Sequence, residues 1–134
     1  MVARGAILAG LICVACGAEV ETDLFEVVSS TPEDGDMEVV EARSPEIRLN
    51  ERADPVSCGL EELLLIPTNE DGSVAFELGY RLTFIDSGRK VQFNVENNLS
   101  PGFHYTIVVQ SDSEGCTDTE GRVLQPFGAE FFVP

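Results

Sequence analysis

Short runs of alternating apolar and other side chains, separated by turn signals, constrain this chain more than any other feature. The longest run places Val74, Phe76, Leu78, Tyr80, Leu82 and Phe84 at every second position. A period of two puts these side chains on one face of a β-strand and predicts that this face is buried. Because the run is longer than most strands and contains a glycine, we predict one strand over 74–84 with a bend or bulge at Gly79.

The same pattern recurs along residues 24–134. Turn signals separate the runs at 31–36, 69–72 and 86–90, where Asp-Gly, Ser-Gly or proline favours a reversal of the backbone. Further strands are predicted over 24–28, 47–50, 62–66 (ended by Pro67), 91–95, 105–109 and 129–133. No stretch has the period of a long helix, so we expect an all-β sandwich or barrel.

The charge balance excludes one broad class of partner. The chain holds 24 Asp and Glu against 8 Lys and Arg, a formal net charge of −16. Such a chain repels phosphate backbones, and no basic stripe with interleaved aromatic residues is present, so nucleic-acid binding is not expected. The 43% hydrophobic content and the 8 phenylalanines indicate a folded core, and 134 residues suit one domain.

The N-terminus has the pattern of an export signal. Arg4 is the only charge before Glu19, and the apolar stretch 5–14 behind it is too short to cross a bilayer. A basic start followed by a short apolar stretch is typical of a secretory signal peptide, predicted here over residues 1–15. The alternative is a buried first element of the domain, and the acidic residues that follow, Glu19, Glu21 and Asp23, argue against it.

Two cysteines stand at the end of this signal. The stretch Cys13-Val14-Ala15-Cys16 resembles the lipobox of bacterial lipoproteins, with Ala15 at the cut and Cys16 as the residue that is lipidated. The resemblance implies a membrane anchor on Cys16, a tether over 16–23 and, since Gly17 follows the cysteine, the outer membrane of a bacterial cell envelope. The alternative is cleavage after Ala18, which gives a secreted protein. A zinc site would need two more ligands at suitable spacing, and a redox pair would need a βα context.

The segment LSPGFHYTIVV carries a resemblance to a fold family. Leu99, Pro101, Gly102 and Tyr105 match the L-x-P-G-x-x-Y corner of fibronectin-III and bacterial Ig-like domains. The resemblance implies that the Tyr105 hydroxyl bonds to the backbone upstream. Three other segments are similar to the SbsA-type bacterial Ig-like family: SSTPEDGDMEVV, EIRLNERAD and DSEGCTDTEGRVLQPFGAEFFV.

This resemblance covers 24–134 and implies an Ig-like antiparallel β-sandwich of seven to eight strands. Such domains serve in envelope and surface proteins as spacers, stalks and adhesive modules. In their frame, Cys58 follows the second strand and Cys116 the sixth, at one end of the sandwich. Since an exported protein meets an oxidising compartment, we expect a Cys58–Cys116 disulfide, the alternative being two buried thiols.

No constellation of catalytic residues is found, so we expect no enzyme. His104, the only histidine, neighbours Tyr105 on the opposite face of a strand and is expected to be exposed. Calcium is a weak possibility, because calcium prefers several hard oxygen ligands on a loop. The candidate ligands are Asp112, Glu114, Asp118 and Glu120, with Asp34 and Asp36 approaching from another loop. The alternative is a turn of solvated acids.

The expected function is therefore structural or protein-binding, as an adhesion or scaffold module that presents loops or an edge strand to a partner. The alternative is a carrier or inhibitor that binds a small ligand or calcium. An apolar pocket with convergent polar groups would favour the carrier, and a flat apolar patch on a sheet would favour a protein partner.

Overall fold

A computed structural model describes residues 24–39, 44–110 and 115–134. The predicted signal peptide (1–15) and the whole predicted tether (16–23), with the lipidation site Cys16, lie outside the described residues. Two of the calcium candidates, Asp112 and Glu114, lie outside them as well.

Seven strands form the described part of the chain, which confirms an all-β fold. Their bounds are β1 Val27–Thr31, β2 Glu46–Leu49, β3 Leu63–Thr68, β4 Tyr80–Ile85, β5 Lys90–Val95, β6 Phe103–Val109 and β7 Phe127–Val133. A single 3₁₀ turn, Asp86–Gly88, joins β4 to β5, where the turn 86–90 was predicted.

The strands make two antiparallel sheets. Sheet I has the order β1-β2-β5-β4 and sheet II the order β3-β6-β7. This is the seven-strand arrangement of constant-type Ig domains, in which the first, second, fifth and fourth strands face the third, sixth and seventh. The prediction of an Ig-like antiparallel sandwich is therefore confirmed, at the lower strand count.

The core lies between the sheets and follows the predicted alternation. Every second residue of each central strand points inward and is buried, whereas its neighbours face outward. The fully buried inward side chains include Ile47, Val91 and Phe93 from sheet I and Leu63, Tyr105, Ile107 and Phe131 from sheet II. Burial of this apolar area is the main term that stabilises the fold.

The first strand lies later than predicted and ends where the chain changes sheets. β1 spans Val27–Thr31 rather than 24–28, while Phe25 makes an isolated parallel bridge with Leu124 of the final loop. After Pro32, which follows a cis peptide bond, the chain crosses to sheet II. There, residues 35–39 run along β7 and bond to it, through Gly35 N to Glu130 O (2.7 Å) and Phe132 N to Asp36 O (2.8 Å). This segment covers the outer edge of β7.

The prediction of a single strand over 74–84 was wrong in its first half. Only Tyr80–Ile85 pairs in sheet I, beginning directly after Gly79. Val74 instead bridges Thr68 of sheet II and is 65% exposed. The alternation arises because residues 76–79 cross between the sheets, with Phe76 and Leu78 packed against the core. From Phe76 on, the period of two identified inward residues without identifying a continuous strand, and it was wrong for Val74.

Pro67 does not end β3 but lies inside it, opposite Tyr105. A proline is tolerated there because β3 is an edge strand, so a missing N–H breaks no ladder inside the sheet. The same edge is covered by the Tyr80 hydroxyl, which accepts from Leu65 N (3.2 Å) and donates to Leu63 O (3.0 Å). Both edges of sheet II are therefore at least partly covered by described residues, and the outer strands of sheet I are β1 and β4.

Candidate functional site

The loops at one end of the sandwich are joined by the predicted disulfide. Cys58, in the β2–β3 connection, is bonded to Cys116, in the β6–β7 connection, with their Cα atoms 4.2 Å apart. Next to the bond, Thr117 N donates to Ser57 Oγ (2.9 Å) and Asp54 N donates to Thr117 O (2.8 Å). Two long connections without strand pairing of their own are thus held together.

Asp118, in the same loop, is a buried carboxylate. Its Oδ1 accepts from the backbone N–H groups of Glu120 and Arg122, both at 2.9 Å. Its Oδ2 accepts from Arg122 Nε at 2.8 Å. Burial opposes ionisation, but these hydrogen bonds and the Arg122 guanidinium outweigh it and lower the pKa of Asp118.

The loop therefore does not assemble the weak calcium site among the described residues. Asp118 is saturated with donors, and Glu120, with its side chain 74% exposed, lies 3.6 Å from the same Arg122 guanidinium. Asp34 and Asp36 bond to backbone N–H groups elsewhere, those of Glu130 and Glu38. In the described ranges, no three His, Cys, Asp or Glu side chains are grouped so as to hold a metal ion.

The opposite end of the sandwich carries the tyrosine corner, as the resemblance implied. The buried Tyr105 hydroxyl accepts from Ser100 N (2.8 Å) and donates to Ser100 O (3.0 Å). Leu99 is buried beside it, and Gly102 (φ 88°) makes the turn after Pro101. Burial raises the pKa of the Tyr105 phenol. Its role is structural: it fixes the connection from β5 to β6.

The sequence predicted that His104 is exposed. In the structure its side chain is half-buried instead. Its ring packs at a tilt on Phe132, with centroids 4.8 Å apart, and its side chain is 28% exposed. Nδ1 is shielded from solvent and lies 3.2 Å from Glu130 Oε2, yet no hydrogen bond of good geometry reaches it. The exposed part of the ring therefore includes Nε2.

A cavity of about 250 Å³ opens beside this imidazole. We name it the His104 cavity; its lining residues are Asp34, Gly35, Met37, His104, Glu130 and Phe131. His104 is the only histidine in the sequence, and Met37 is one of two methionines, the other being Met1. Met37 was not recognised in the sequence as a site residue, because it is far from His104 along the chain and only the crossing of residues 35–39 onto β7 brings them together.

The outward faces of the two sheets differ in chemistry. The outer side of sheet I, here the polar face, pairs Glu46 with Gln92 and Arg48 with Lys90, and Lys90 Nζ lies 3.2 Å from Glu46 Oε1. The outer side of sheet II, here the apolar face, has no Lys or Arg in its strands. Its residues are Leu64, Ile66, Thr68, His104, Thr106, Val108, Glu130 and Phe132.

Two other depressions lie on the described surface. One, of about 330 Å³, is a shallow groove between β4 and the loop before β3; it is lined mainly by Pro55, Leu60, Arg81, Leu82 and Phe84. The other, of about 270 Å³, lies between residues 76–79 and 95–100. Neither brings together groups that could act as nucleophile, base and oxyanion donor. No helix among the described residues is long and apolar enough to span a bilayer.

Comparison with solved structures gives the same fold. The N-terminal part of the bacterial S-layer protein SbsC matches with a TM-score of 0.58 at 17% identity, over 82% of this chain and 23% of that one. This chain thus spans less than a quarter of that protein.

Two other solved proteins match over nearly their whole length. PcoC, a methionine-rich copper resistance protein from Escherichia coli, gives a TM-score of 0.61 at 12% identity and covers 83% of this chain and 99% of that one. CopC from Methylosinus trichosporium OB3b gives 0.55 at 16% identity, over 81% and 92%. At these identities the likeness shows the fold alone.

The sequence itself decides the family. No curated protein matches it significantly, but the family model described as Bacterial Ig-like domain matches residues 21–132. That range includes six whole strands, the seventh except its last residue Val133, the tyrosine corner and both bonded cysteines. The chain belongs to the bacterial Ig-like domain family.

Proposed function

We propose that this protein is exported, anchored to the bacterial envelope by lipid on Cys16, and uses its Ig-like domain to bind another envelope protein. The observation that carries the proposal is the Cys58–Cys116 disulfide. Disulfides persist in oxidising compartments outside the cytoplasm, and they stabilise small exported domains whose hydrophobic cores are limited. The export signal and lipobox pattern at residues 1–16 are consistent with that compartment.

The apolar face is the surface that we propose for the partner. Ile66, Val108 and Phe132 lie partly exposed on this face, where Ile66 pairs with Thr106, Val108 with Leu64 and Phe132 with His104. Val74 adds an exposed apolar side chain, because it pairs with Thr68 and is 65% exposed. Apolar side chains that stay partly exposed among polar ones are a feature of protein contact surfaces. Since this chain is strongly acidic, the partner surface is expected to have an apolar centre and basic groups around it.

The anchor and the disulfide are tested together by one measurement, the intact mass of the protein extracted from its native membrane without reductant. The expected mass is that of residues 16–134 with acyl groups, less two hydrogens. A mass that begins near Glu19 without acyl groups would make it a secreted protein and contradict the anchor. Unchanged mass after alkylation under denaturing conditions confirms that Cys58 and Cys116 are bonded.

The binding surface is tested by cross-linking in the native envelope. Ile66→Glu places a charge on the apolar face, and Thr83→Glu places the same charge on the polar face as a matched control. We expect the cross-linked adduct to be lost only with Ile66→Glu, while both variants unfold at similar temperatures. Equal adducts for both variants would contradict this surface assignment.

Metal binding in the same compartment is a second candidate function. One protein of the same fold, PcoC, is a methionine-rich copper resistance protein. In this chain the observation that favours metal binding is the His104 cavity, where the only histidine carries a shielded ring nitrogen without a hydrogen bond. No catalytic activity is proposed for either function.

A further inference from the structure

We infer that the His104 cavity binds one copper ion, with His104 Nε2 and the Met37 thioether as ligands and Glu130 as the carboxylate that orients the imidazole. This inference rests on the second proposed function and names its ligands. It is independent of the calcium candidates in the 111–121 loop, since it uses a different part of the molecule.

The first support is the arrangement around the imidazole. A histidine that binds a metal through one ring nitrogen usually presents the other to a carboxylate, which fixes the ring and its tautomer. Here Nδ1 is the shielded nitrogen, 3.2 Å from Glu130 Oε2, and Nε2 is the accessible one. Among the described residues, the exposed Glu130 carboxylate is the group within ion-pair distance of Nδ1 and so the one placed to orient it. Phe132 holds the ring from the other side, with centroids 4.8 Å apart.

The second support is the way in which the backbone places Met37. Residues 35 and 36 are clamped to β7 by Gly35 N to Glu130 O (2.7 Å) and Phe132 N to Asp36 O (2.8 Å). Asp34 Oδ1 also accepts from Glu130 N (2.8 Å). After Met37, Val39 N donates to Phe132 O (3.3 Å). Bonds on both sides of Met37 therefore hold it at the cavity that His104 lines.

The third support is the chemistry of the donors. A thioether is a soft ligand that favours Cu(I), and an imidazole suits copper as well as zinc. Calcium and magnesium prefer oxygen ligands and would gain nothing from Met37. Met37 is 54% exposed, which is unusual for a methionine with only a packing role and leaves its sulfur accessible to an ion. The cavity of about 250 Å³ leaves room for water or a further small ligand on the metal.

The test is an anaerobic titration of the full chain with Cu(I) against a chromophoric chelator. The thiols of Cys13 and Cys16, where present, are first blocked with iodoacetamide, because they would compete for the ion. We expect one Cu(I) per chain, with the Met37 methyl and His104 ring resonances moving on binding. Met37→Leu and His104→Gln should each weaken binding about 10-fold or more, and Glu130→Gln about 10-fold.

The controls separate the possible failures. Glu77→Gln removes an exposed carboxylate outside the cavity, so it should leave the affinity unchanged. No Cu(I) binding by the wild-type chain would overturn both the site and the second proposed function. Binding that is equal in wild type, Met37→Leu and His104→Gln would overturn the site alone. Zn(II) binding that needs His104 but tolerates Met37→Leu, with no Cu(I) binding, would overturn the assignment of copper.

Discussion

The two ends of the sandwich are closed in different ways. At one end, the long β2–β3 and β6–β7 connections are joined by the Cys58–Cys116 disulfide and by backbone hydrogen bonds such as Asp54 N to Thr117 O. The buried Asp118 carboxylate closes the turn within the second of these connections. At the other end, the turn into β6 is held by the Tyr105 hydroxyl. Between the ends, the Tyr80 hydroxyl holds the edge of β3. The first end uses a covalent bond and a charge; the second uses neutral hydrogen bonds.

The difference follows from the lengths of the connections at the two ends. Long connections lose much conformational entropy on folding and here contribute only isolated bridges, such as Ala53 with Asp118 and Thr117 with Val123. Cross-linking them removes part of that cost from the unfolded state. The connection between β5 and β6 is short, so one hydroxyl that bonds to Ser100 is enough. The redox state should therefore affect one end only, and this comparison yields four predictions.

The largest effect is expected from removing the disulfide. Replacing both cysteines, Cys58→Ala with Cys116→Ala, should lower the free energy of unfolding by about 4 kcal/mol, because the bond closes a long loop. Urea unfolding followed by fluorescence or circular dichroism measures it. Reduced wild-type protein should unfold at the same urea concentration as the double variant. A loss below about 1 kcal/mol would mean that the hydrogen bonds between the two connections close this end without the disulfide.

The next largest effect is expected from Asp118→Asn. The variant loses the ion pair between residue 118 and Arg122. We expect the free energy of unfolding to fall by about 2–3 kcal/mol, less than for a fully buried ion pair, because Arg122 is part-exposed. Since the folded state lowers the pKa of Asp118, its contribution is present above pH 4 and is lost as the pH falls through the folded-state pKa. The stability difference between wild type and variant should therefore shrink in acid. A difference that stays constant down to pH 2 would contradict the ionic role.

The sequence predicted the inward residues better than it predicted the strands. Alternation identified Ile47, Phe93 and Ile107, which are all buried, since a period of two follows directly from the geometry of a half-buried strand. The prediction from alternation failed at Val74, which pairs with Thr68 of sheet II and is exposed. The chain crosses between the sheets just after it, over residues 76–79. The sequence prediction also ended β3 at Pro67, because sequence alone does not show that β3 is an edge strand.

The candidate sites were predictable to different degrees. The Cys58–Cys116 pair and the Tyr105 corner were expected from the family frame, in which strand order fixes which loops meet. The His104 cavity was not, because Met37 meets His104 only after the chain leaves β1 and lies along β7. A single histidine and a single internal methionine, distant in sequence, give no spacing that indicates a ligand pair.

A smaller effect is expected from Tyr105→Phe, about 1–2 kcal/mol. The variant keeps the buried ring but leaves Ser100 N and O without their partner in a water-poor position. Since burial raises the pKa of Tyr105, the wild-type stability is complete below about pH 10 and is lost as the pH rises through the raised value. The variant should show less of that alkaline loss. If removing the disulfide enlarges the cost of Tyr105→Phe by more than about 0.5 kcal/mol, the two ends are coupled and the comparison fails.

The smallest effect is expected from Tyr80→Phe, about 1 kcal/mol. Its hydroxyl also bonds to two backbone groups, Leu65 N and Leu63 O, but it lies at a sheet edge and Tyr80 is only half-buried, so water can replace the lost bonds. The more telling measurement is amide exchange, in which Leu65 N–H should lose protection while Ile107 N–H, in the centre of sheet II, keeps it. Because the hydroxyl covers the β3 edge, the variant should also self-associate more at high concentration. Unchanged exchange at Leu65 would show that the edge of β3 is held by its pairing with β6 alone, without the Tyr80 hydroxyl.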